Sequence, residues 1–382
     1  MKLPNLLIAF LLLCSTSISF AGTTQPTHPT VHTGHHTDSH DAHQGNIIDT
    51  AQEIQAYSKH HLQDSHDFTL FTDHASGTHV GFSLPMFVWT SKGPAFFMSS
   101  AFKHNDDGHV IVEKSGVSLA KIHSKIYELN PGANRVEFDA HHHPTNAHKV
   151  LDLSITKNVF GMLLTGILML VLFGGLAKGY KKGNTIPKGI GRALEPLVLF
   201  VRDEIARPNI GEEKYRKYMG YLLTVFFFIW ILNLLGLTPL GFNVTGNIAV
   251  TACLAIFTFI ITQIGGTKDY WKHIFWMPGV PVPMKFIMAP IEFIGMFTKP
   301  FALMLRLFAN ITAGHSVVMA LIGLAILLKA QFGMVGATGL SLVLTLFITL
   351  IELLVAFLQA YIFTMLSSLF IGMAVEEHDD HH

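Results

Sequence analysis

Charge is scarce in this sequence. Only 14% of its 382 residues are charged and half are hydrophobic, whereas about a quarter of the residues in soluble domains are charged. Acidic and basic residues are equal in number, so no excess of positive charge indicates a nucleic-acid surface. The composition therefore predicts an integral membrane protein.

Cysteine is also scarce, and phosphate-binding glycine loops are missing. The two cysteines, Cys14 and Cys253, both lie in apolar segments, which excludes a disulfide framework. No GxxxxGK(S/T) loop occurs in the chain, so we expect it to bind no nucleotide. The sequence predicts no cofactor.

The N-terminal part is polar and rich in histidine. Residues 1–21 have a positive start, a short apolar run and a Ser-Phe-Ala end, which predicts a secretory signal peptide; a first membrane helix is the alternative. Residues 22–66 are predicted to be disordered. Most of the 23 histidines lie between His28 and His148. Histidine tracts bind Zn²⁺, Cu²⁺ or Ni²⁺, but the irregular spacing favours a polar tail, and no metal site is predicted.

Residues 67–153 contain short runs of β-forming residues, such as His79–Pro85 and Val110–Lys114. Turn signals separate these runs, at Asn105-Asp-Asp-Gly and at Asn130-Pro-Gly. Short runs bounded by such turns are typical of strands. We therefore predict a small, β-rich extracytoplasmic extension.

Five apolar segments follow, each long enough to cross a bilayer. They are Val159–Leu176, Tyr218–Leu240, Asn247–Ile264, Phe286–Leu328 and Leu340–Met373. The last two exceed the roughly 20 residues that a span needs, so they must tilt, kink or lie partly along the membrane. The predicted fold class is an all-α polytopic membrane domain over residues 154–375, with two long tilted C-terminal helices and a short tail, residues 376–382.

The basic residues between the spans indicate the orientation. Lys178 and Lys181 follow the first span, and Lys268 and Lys272 follow the third, while the loop between the second and third has no lysine or arginine. Loops rich in lysine and arginine are cytoplasmic. The N-terminus is therefore expected outside, in agreement with the signal peptide, and five crossings place the C-terminus in the cytoplasm.

Arg306 lies in an apolar sequence where a permanent charge is costly. A guanidinium stays protonated in proteins, and at bilayer depth it costs about 3 kcal/mol on insertion scales. One alternative is an arginine that snorkels from a helix end. The long apolar runs on both sides, with Asn310 one turn away, favour an arginine that faces a polar cavity or a partner carboxylate.

The other polar residues of the last two spans fall into two levels. If the spans fold into a hairpin about Gln331–Gly339, Arg306 comes level with Gln359, and His315 comes level with Glu352. A histidine beside a carboxylate titrates near neutral pH, as a proton path requires. A structural ion pair between His315 and Glu352 is the alternative.

The stretch Lys299 to His315, KPFALMLRLFANITAGH, resembles the signature of subunit a of F-type ATP synthases. The similarity begins near Ile155 and reaches the C-terminus; residues 22 to about 150 have no counterpart in the common family pattern. The resemblance implies a stator in the cell inner membrane that provides two proton half-channels beside a rotating c-subunit ring. It also implies a subunit b stalk and a catalytic F1 sector as partners, so this chain is expected to be non-catalytic.

The resemblance assigns roles to individual residues. Arg306 falls on the essential arginine that faces the ring carboxylate, and Asn310 and Gln359 fall on polar residues of the half-channels. His315 and Glu352 fall on a histidine–carboxylate pair, in the reverse of the order found in many bacterial relatives. The supporting polar residues are Glu292, Lys299 and Asn233.

Two other functions remain as alternatives. A metal-ion transporter with a His-rich tail requires pairs of His or Asp ligands inside the spans, where His315 is the only histidine. A membrane-anchored metal-binding scaffold leaves Arg306 unexplained.

Overall fold

The computed structural model describes residues 64–73, 78–103, 105–139, 144–181, 189–238, 242–277 and 280–376. The histidines before residue 64 and the run at residues 141–143 lie outside these ranges. In the described residues, strands come first and helices follow.

The structure describes nine strands in the part of the chain that the sequence predicts to be β-rich. They are β1 Asp67–Asp73, β2 Thr78–Ser83, β3 Pro85–Thr90, β4 Gly93–Met98, β5 Asp107–Lys114, β6 Val117–Ile122, β7 Lys125–Leu129, β8 Ala147–Lys149 and β9 Leu151–Asp152. They form three sheets, with the orders β1-β2, β4-β3-β9 and β5-β6-β7-β8. Alternate side chains of β3 and β4 point inward and pack with residues of β5, β6 and β7 in one core that includes Met86, Phe97, Phe102, Leu119 and Ile126.

A charged pair is buried within this β-rich part. The Lys121 ammonium lies 2.7 Å from Asp67 Oδ2, and Ser99 Oγ donates to Asp67 Oδ1 at 2.6 Å. A buried charge must be paired and hydrogen-bonded to be tolerated. These bonds join the start of β1 to β6 and to the helical turn after β4.

The described residues after the strands form seven α-helices: α1 Lys157–Lys181, α2 Ile190–Phe200, α3 Arg207–Ile210, α4 Tyr215–Gly236, α5 Ile248–Gly265, α6 Lys268–Phe275 and α7 Val282–Val375. A π-helical turn, Val201–Ala206, joins α2 to α3. Side-chain caps start two of the helices, because Asn247 accepts from Ala249 N and Thr267 accepts from Tyr270 N. The short helices α2, α3 and α6 are not predicted by the apolar pattern, because they are too short to form a membrane-spanning run.

Five helical stretches are long and apolar enough to cross a membrane, namely Lys157–Lys181, Tyr215–Gly236, Ile248–Gly265, Val282–Val318 and Thr338–Val375. The predicted count of five agrees with the described residues, and the ends differ by a few residues. The first helix continues through Lys178 and Lys181, because basic side chains are tolerated and favourable at a helix C-terminus.

Helix α7 is an antiparallel hairpin. Its one residue with non-helical backbone angles is Gly333, at φ 68° and ψ 169°, a left-handed region that glycine adopts without strain. We call the part before Gly333 arm 1 and the part after it arm 2. Ser341 Oγ donates to Leu321 O at 3.0 Å, and the Lys299 ammonium lies 5.7 Å from the ring centre of Phe370. The reversal falls inside the predicted connection, residues 331–339.

Aromatic rings pack the extension against the helices. The Phe68 ring centre lies 5.4 Å from that of Phe242 and 6.0 Å from that of Phe160, and Phe68 is buried in the same core as α1 and α4. Gly161 allows this approach, since an added Cβ would lie 2.8 Å from the Phe242 ring. The α4–α5 loop and the start of α1 therefore lie on the side of the extension.

Residues 64–66 belong to this junction, although the sequence places them in the segment 22–66 that is predicted to be disordered. Asn158 N donates to Asp64 Oδ1 at 3.0 Å, and Lys157 N donates to Ser65 O at 2.9 Å. The buried His66 lies with Nε2 2.8 Å from Asp152 Oδ2. The bonds to Asp64 and Ser65 cap the first turn of α1, where helical N–H groups lack partners within the helix.

Candidate functional site

Arg306 lies on the outer surface of arm 1. Its side chain is exposed, as are those of Ala302 and Ala309, which share its helix face. Among the residues whose side chains the structure describes, Arg306 has no hydrogen-bond or ion-pair partner. An unpaired guanidinium inside a bilayer is costly unless a polar group of another molecule pairs with it. The small neighbours leave room for a second helix to approach closely.

Asn310 extends the same polar face. It is exposed and lies one helical turn beyond Arg306, where i and i+4 side chains are neighbours. Both side chains are therefore available to one partner surface.

Glu352 faces arm 1 from arm 2. A Cβ added to Gly314 would lie 2.6 Å from Glu352 Oε1, so the carboxylate lies directly against the glycine backbone. Glu352 Oε1 and Thr312 Oγ1 are both buried and have no hydrogen-bond partner in the described part of the chain. His315 follows Gly314 in the same helix, and its side chain lies outside the described residues. Glu352 lies level with the turn that contains Gly314 and His315, as predicted. Contact between the side chains of His315 and Glu352 stays a prediction.

Gln359 and Asn233 are buried, in contrast to Arg306. Gln359 is 4% exposed and Asn233 is 3% exposed. Asn233 Nδ2 donates to Ala356 O at 3.3 Å, and Thr245 Oγ1 donates to Asn233 Oδ1 at 2.9 Å. These bonds join α4, the α4–α5 loop and arm 2. No hydrogen bond joins Gln359 to Arg306 among the described residues, so their predicted common height does not bring them into direct contact here.

Lys299 lines a small cavity between α5, α6 and the two arms, in which apolar side chains such as Phe259 and Leu303 outnumber the polar ones. The cavity measures about 20 Å³ and is also lined by Thr262, Gln263 and Tyr270. That volume holds about one water molecule. Gln263 Nε2 lies 3.2 Å from the Tyr270 hydroxyl.

Tyr270 connects this cavity to Glu292. Burial raises the pKa of the Tyr270 phenol, and the charge of Glu292 raises it further. Glu292 is half-buried and is not ion-paired with Lys299 among the described residues, although the two are grouped by sequence. Lys299 therefore lines the cavity itself, whereas Glu292 is not among its lining residues and acts there through the charge that it places near Tyr270.

Three groups at the site escape the sequence analysis. Gly314, Thr245 and Tyr270 are common residue types with no unusual spacing, and their roles depend on tertiary contacts. The Ala-Gly-His order after Asn310 is the one local signal, because glycine allows a close approach to its neighbour.

The described residues do not bring enough His, Cys, Asp or Glu side chains together to form a metal site. No group of three or more His, Cys, Asp or Glu side chains that would hold a metal ion occurs there. The histidine tracts of the sequence analysis fall mainly outside those ranges, so their metal binding stays an alternative of that analysis only.

Comparisons with known proteins identify a family that covers the helical part of the chain. A family model described as "ATP synthase A chain" matches residues 159–372. Residues 57–153 match a second family model, a domain of unknown function named DUF8433.

Individual relatives are similar over the same region. The chain is 47% identical over 237 residues to "ATP synthase subunit a 2" of Chlorobaculum tepidum, covering 60% of this chain and 66% of that protein. It is 48% identical over 237 residues to "ATP synthase subunit a" of Chlorobium phaeobacteroides strain BS1, covering 60% and 68%. It is 44% identical over 264 residues to "ATP synthase subunit a" of Anaeromyxobacter sp. strain Fw109-5, covering 64% and 63%. The chain thus spans about two thirds of the length of these relatives.

Proposed function

The chain belongs to the ATP synthase subunit a family, and we propose that it works as the proton-translocating stator of an F-type ATP synthase. In this proposal two offset half-channels lead protons to and from a rotating ring of c subunits. Arg306 stands between the half-channels and faces the ring carboxylate. The chain performs no catalysis itself and binds no nucleotide.

The exposed position of Arg306 carries this proposal. Its guanidinium faces away from the chain's own helices, beside the exposed Ala302 and Ala309. A fixed positive charge there attracts an ionised carboxylate on a neighbouring helix and repels a proton moving straight between the half-channels. One elementary charge that crosses 100 mV is worth about 2.3 kcal/mol, so this barrier prevents loss of the gradient. Asn310 offers a hydrogen-bonding group to the same partner.

The outer half-channel is proposed to pass Glu352. Its Oε1 and Thr312 Oγ1 lack partners among the described residues, as expected of groups that contact water or a transferable proton. His315 follows Gly314 in the chain, and histidine is the residue type whose ordinary pKa lies near neutral. Asn233 supports this path by holding arm 2 against α4, and Gln359 is a second buried polar group on arm 2.

The inner half-channel is proposed to include the water-sized cavity beside Lys299. Gln263 and Tyr270 supply hydrogen-bonding groups to a water there. Glu292 adds a negative charge near Tyr270, which attracts a proton that leaves the ring. Lys299 places a positive charge at the cavity wall.

Partners and location follow from the same proposal. The partners are the c-subunit ring, a subunit b stalk and the catalytic F1 sector, in the cell inner membrane with the N-terminus outside. The domain division is likewise proposed: a signal peptide at 1–21, a His-rich segment, a β-rich extension, the membrane domain at 154–375 and a tail at 376–382. Residues 64–66 bond to the start of α1 and to β9, so we include them in the extension. A metal-ion transporter has no support in the described residues or in the comparisons.

Cysteine crosslinking tests the rotor-facing assignment. Ala309→Cys places a thiol beside Arg306 on the exposed face of arm 1, and Ile167→Cys places one on the exposed face of α1. A bifunctional reagent applied to native membranes should link the Ala309→Cys variant to a small two-helix proteolipid. The Ile167→Cys control should give no such product. Equal yields of that product, or a product from the control alone, would contradict the proposal.

A further inference from the structure

One face of the β4-β3-β9 sheet is apolar throughout. Strand alternation sends Phe87 and Trp89 of β3 outward, together with Phe96 and Met98 of β4, and Leu151 and Leu153 flank them on the β9 side. Together with Pro85 and Pro94, these residues are called the apolar sheet face. Trp89 is 54% exposed and Phe96 is 69% exposed. No polar side chain interrupts the face within the described strands.

Such a face is unusual for a sheet that contacts water. An antiparallel sheet with one solvated face normally alternates apolar-inward and polar-outward residues, whereas here Met86 and Val88 fill the inward positions and the outward positions are apolar too. At about 150–250 Å² for each aromatic side chain, Trp89 and Phe96 alone expose on the order of 250 Å². Contiguous apolar surface of this size marks an interaction site.

The position of the face indicates what covers it. Leu153 N donates to Phe87 O at 2.9 Å, and Ile155 N donates to Pro85 O at 3.2 Å, so β3 runs beside the segment that leads directly into the spanning helix α1. At about 3.3 Å per residue, Leu151 lies within roughly 20 Å of Lys157 along the chain. On α1 the exposed side chains between Leu163 and Val171 are apolar as well, and Ile167 is 61% exposed. The apolar sheet face is therefore continuous along the chain with a surface that contacts lipid.

We propose that the apolar sheet face rests against the lipid of the extracytoplasmic leaflet. Tryptophan and phenylalanine are the side chains that favour the membrane interface. Exposed lysines flank the sheet, with Lys92 in the β3–β4 turn, Lys103 after β4 and Lys149 before β9. Their charge complements anionic headgroups. The extension is thus a membrane-surface domain that lies on the bilayer beside α1.

Tryptophan fluorescence tests this placement in the full chain. Trp230, Trp271 and Trp276 are changed to Phe, which leaves Trp89 as the one tryptophan, and the protein is inserted into vesicles of phosphatidylethanolamine and phosphatidylglycerol. We expect acyl chains brominated near the glycerol to quench Trp89 roughly twofold and the bilayer to shield it from iodide. A control adds Trp89→Phe and Glu113→Trp, which moves the single tryptophan to an exposed position of β5. Its emission should respond to iodide and not to bromine.

The outcomes separate lipid from a protein partner. Quenching of Trp89 by iodide in the vesicles, without quenching by brominated lipid, overturns the proposal, and shielding that occurs only in native membranes assigns the face to another protein instead. If the triple variant does not fold, the difference in emission between the unaltered chain and Trp89→Phe gives the same readout. Phe96→Cys adds an independent one: a charged maleimide should label it roughly tenfold faster in detergent than in vesicles, while Glu113→Cys labels equally in both. Equal rates for Phe96→Cys would also contradict the proposal.

Discussion

Replacing Gly314 by alanine displaces the Glu352 carboxylate without disturbing the rest of arm 1. The added Cβ would lie 2.6 Å from Glu352 Oε1, and an ordinary contact begins near 3.4 Å, so the carboxylate must retreat by about 0.8 Å. The atom that moves is the end of a flexible side chain, so the fold itself tolerates the change. Alanine also favours the helix over glycine by about 1 kcal/mol.

The expected result is a protein that is at least as stable and that moves protons more slowly. A shift of 1 Å in a reacting group costs up to about 100-fold in rate, and we expect about a tenfold loss of proton entry here, equivalent to about 1.4 kcal/mol. The assay is ATP-driven acidification of inverted vesicles with verified complex content. Gly295→Ala is the matched control, because nothing lies within 4 Å of a Cβ added there, and it should pump normally.

A second change sharpens the result. Glu352→Asp shortens the side chain by one methylene group and makes room for the methyl group that Gly314→Ala adds, so the double variant Gly314→Ala with Glu352→Asp should recover part of the lost rate. Pumping by Gly314→Ala at the level of Gly295→Ala would refute the role given to this contact.

Three further predictions concern the outer side of the molecule. Deleting residues 28–63 behind an intact signal peptide should leave ATP-driven pumping unchanged; loss of pumping in a normally assembled complex would contradict this. His315→Ala and Glu352→Ala should each slow proton entry and be less than additive together, and exchanging the two residues should restore part of the activity, whereas strict additivity would separate them. Desolvation raises the pKa of Asp64, so its contribution to stability is largest below the unfolded-state value near 3.9 and falls as the pH rises through the folded-state pKa. Asp64→Asn keeps the acceptor for Asn158 N and should raise the Tm at pH 7 but not at low pH; a lower Tm at pH 7 would show that the charge is needed.

The features readable from the sequence are those that depend on local pattern. The five spans follow from runs of apolar residues long enough to cross a bilayer, and the reversal of α7 falls within residues 331–339 because Gly333 provides the backbone freedom for it. The exposed position of Arg306 on an apolar helix follows from its isolation in such a run.

Other features depend on contacts between distant segments. The sequence does not reveal that Gln359 points inward while Arg306 points outward, since both are polar residues in similar apolar surroundings. Phe68 packs on Phe160 and Phe242, although nothing local distinguishes it from other phenylalanines. The helices α2 and α6 are too short to form a membrane-spanning apolar run, and the apolar sheet face becomes visible only when β3, β4 and β9 are placed side by side.

The measurement that tests the central claim most directly is ATP synthesis together with passive proton permeability in vesicles that carry Arg306→Lys or Arg306→Ala, at matched complex content. Lysine loses its proton when it is dehydrated, whereas arginine keeps it. Arg306→Lys should therefore abolish proton-driven synthesis despite its equal formal charge, and Arg306→Ala should in addition let protons leak. Near-normal synthesis with lysine, or an alanine variant that assembles poorly and does not leak, would contradict the assignment of Arg306 as the barrier between two half-channels.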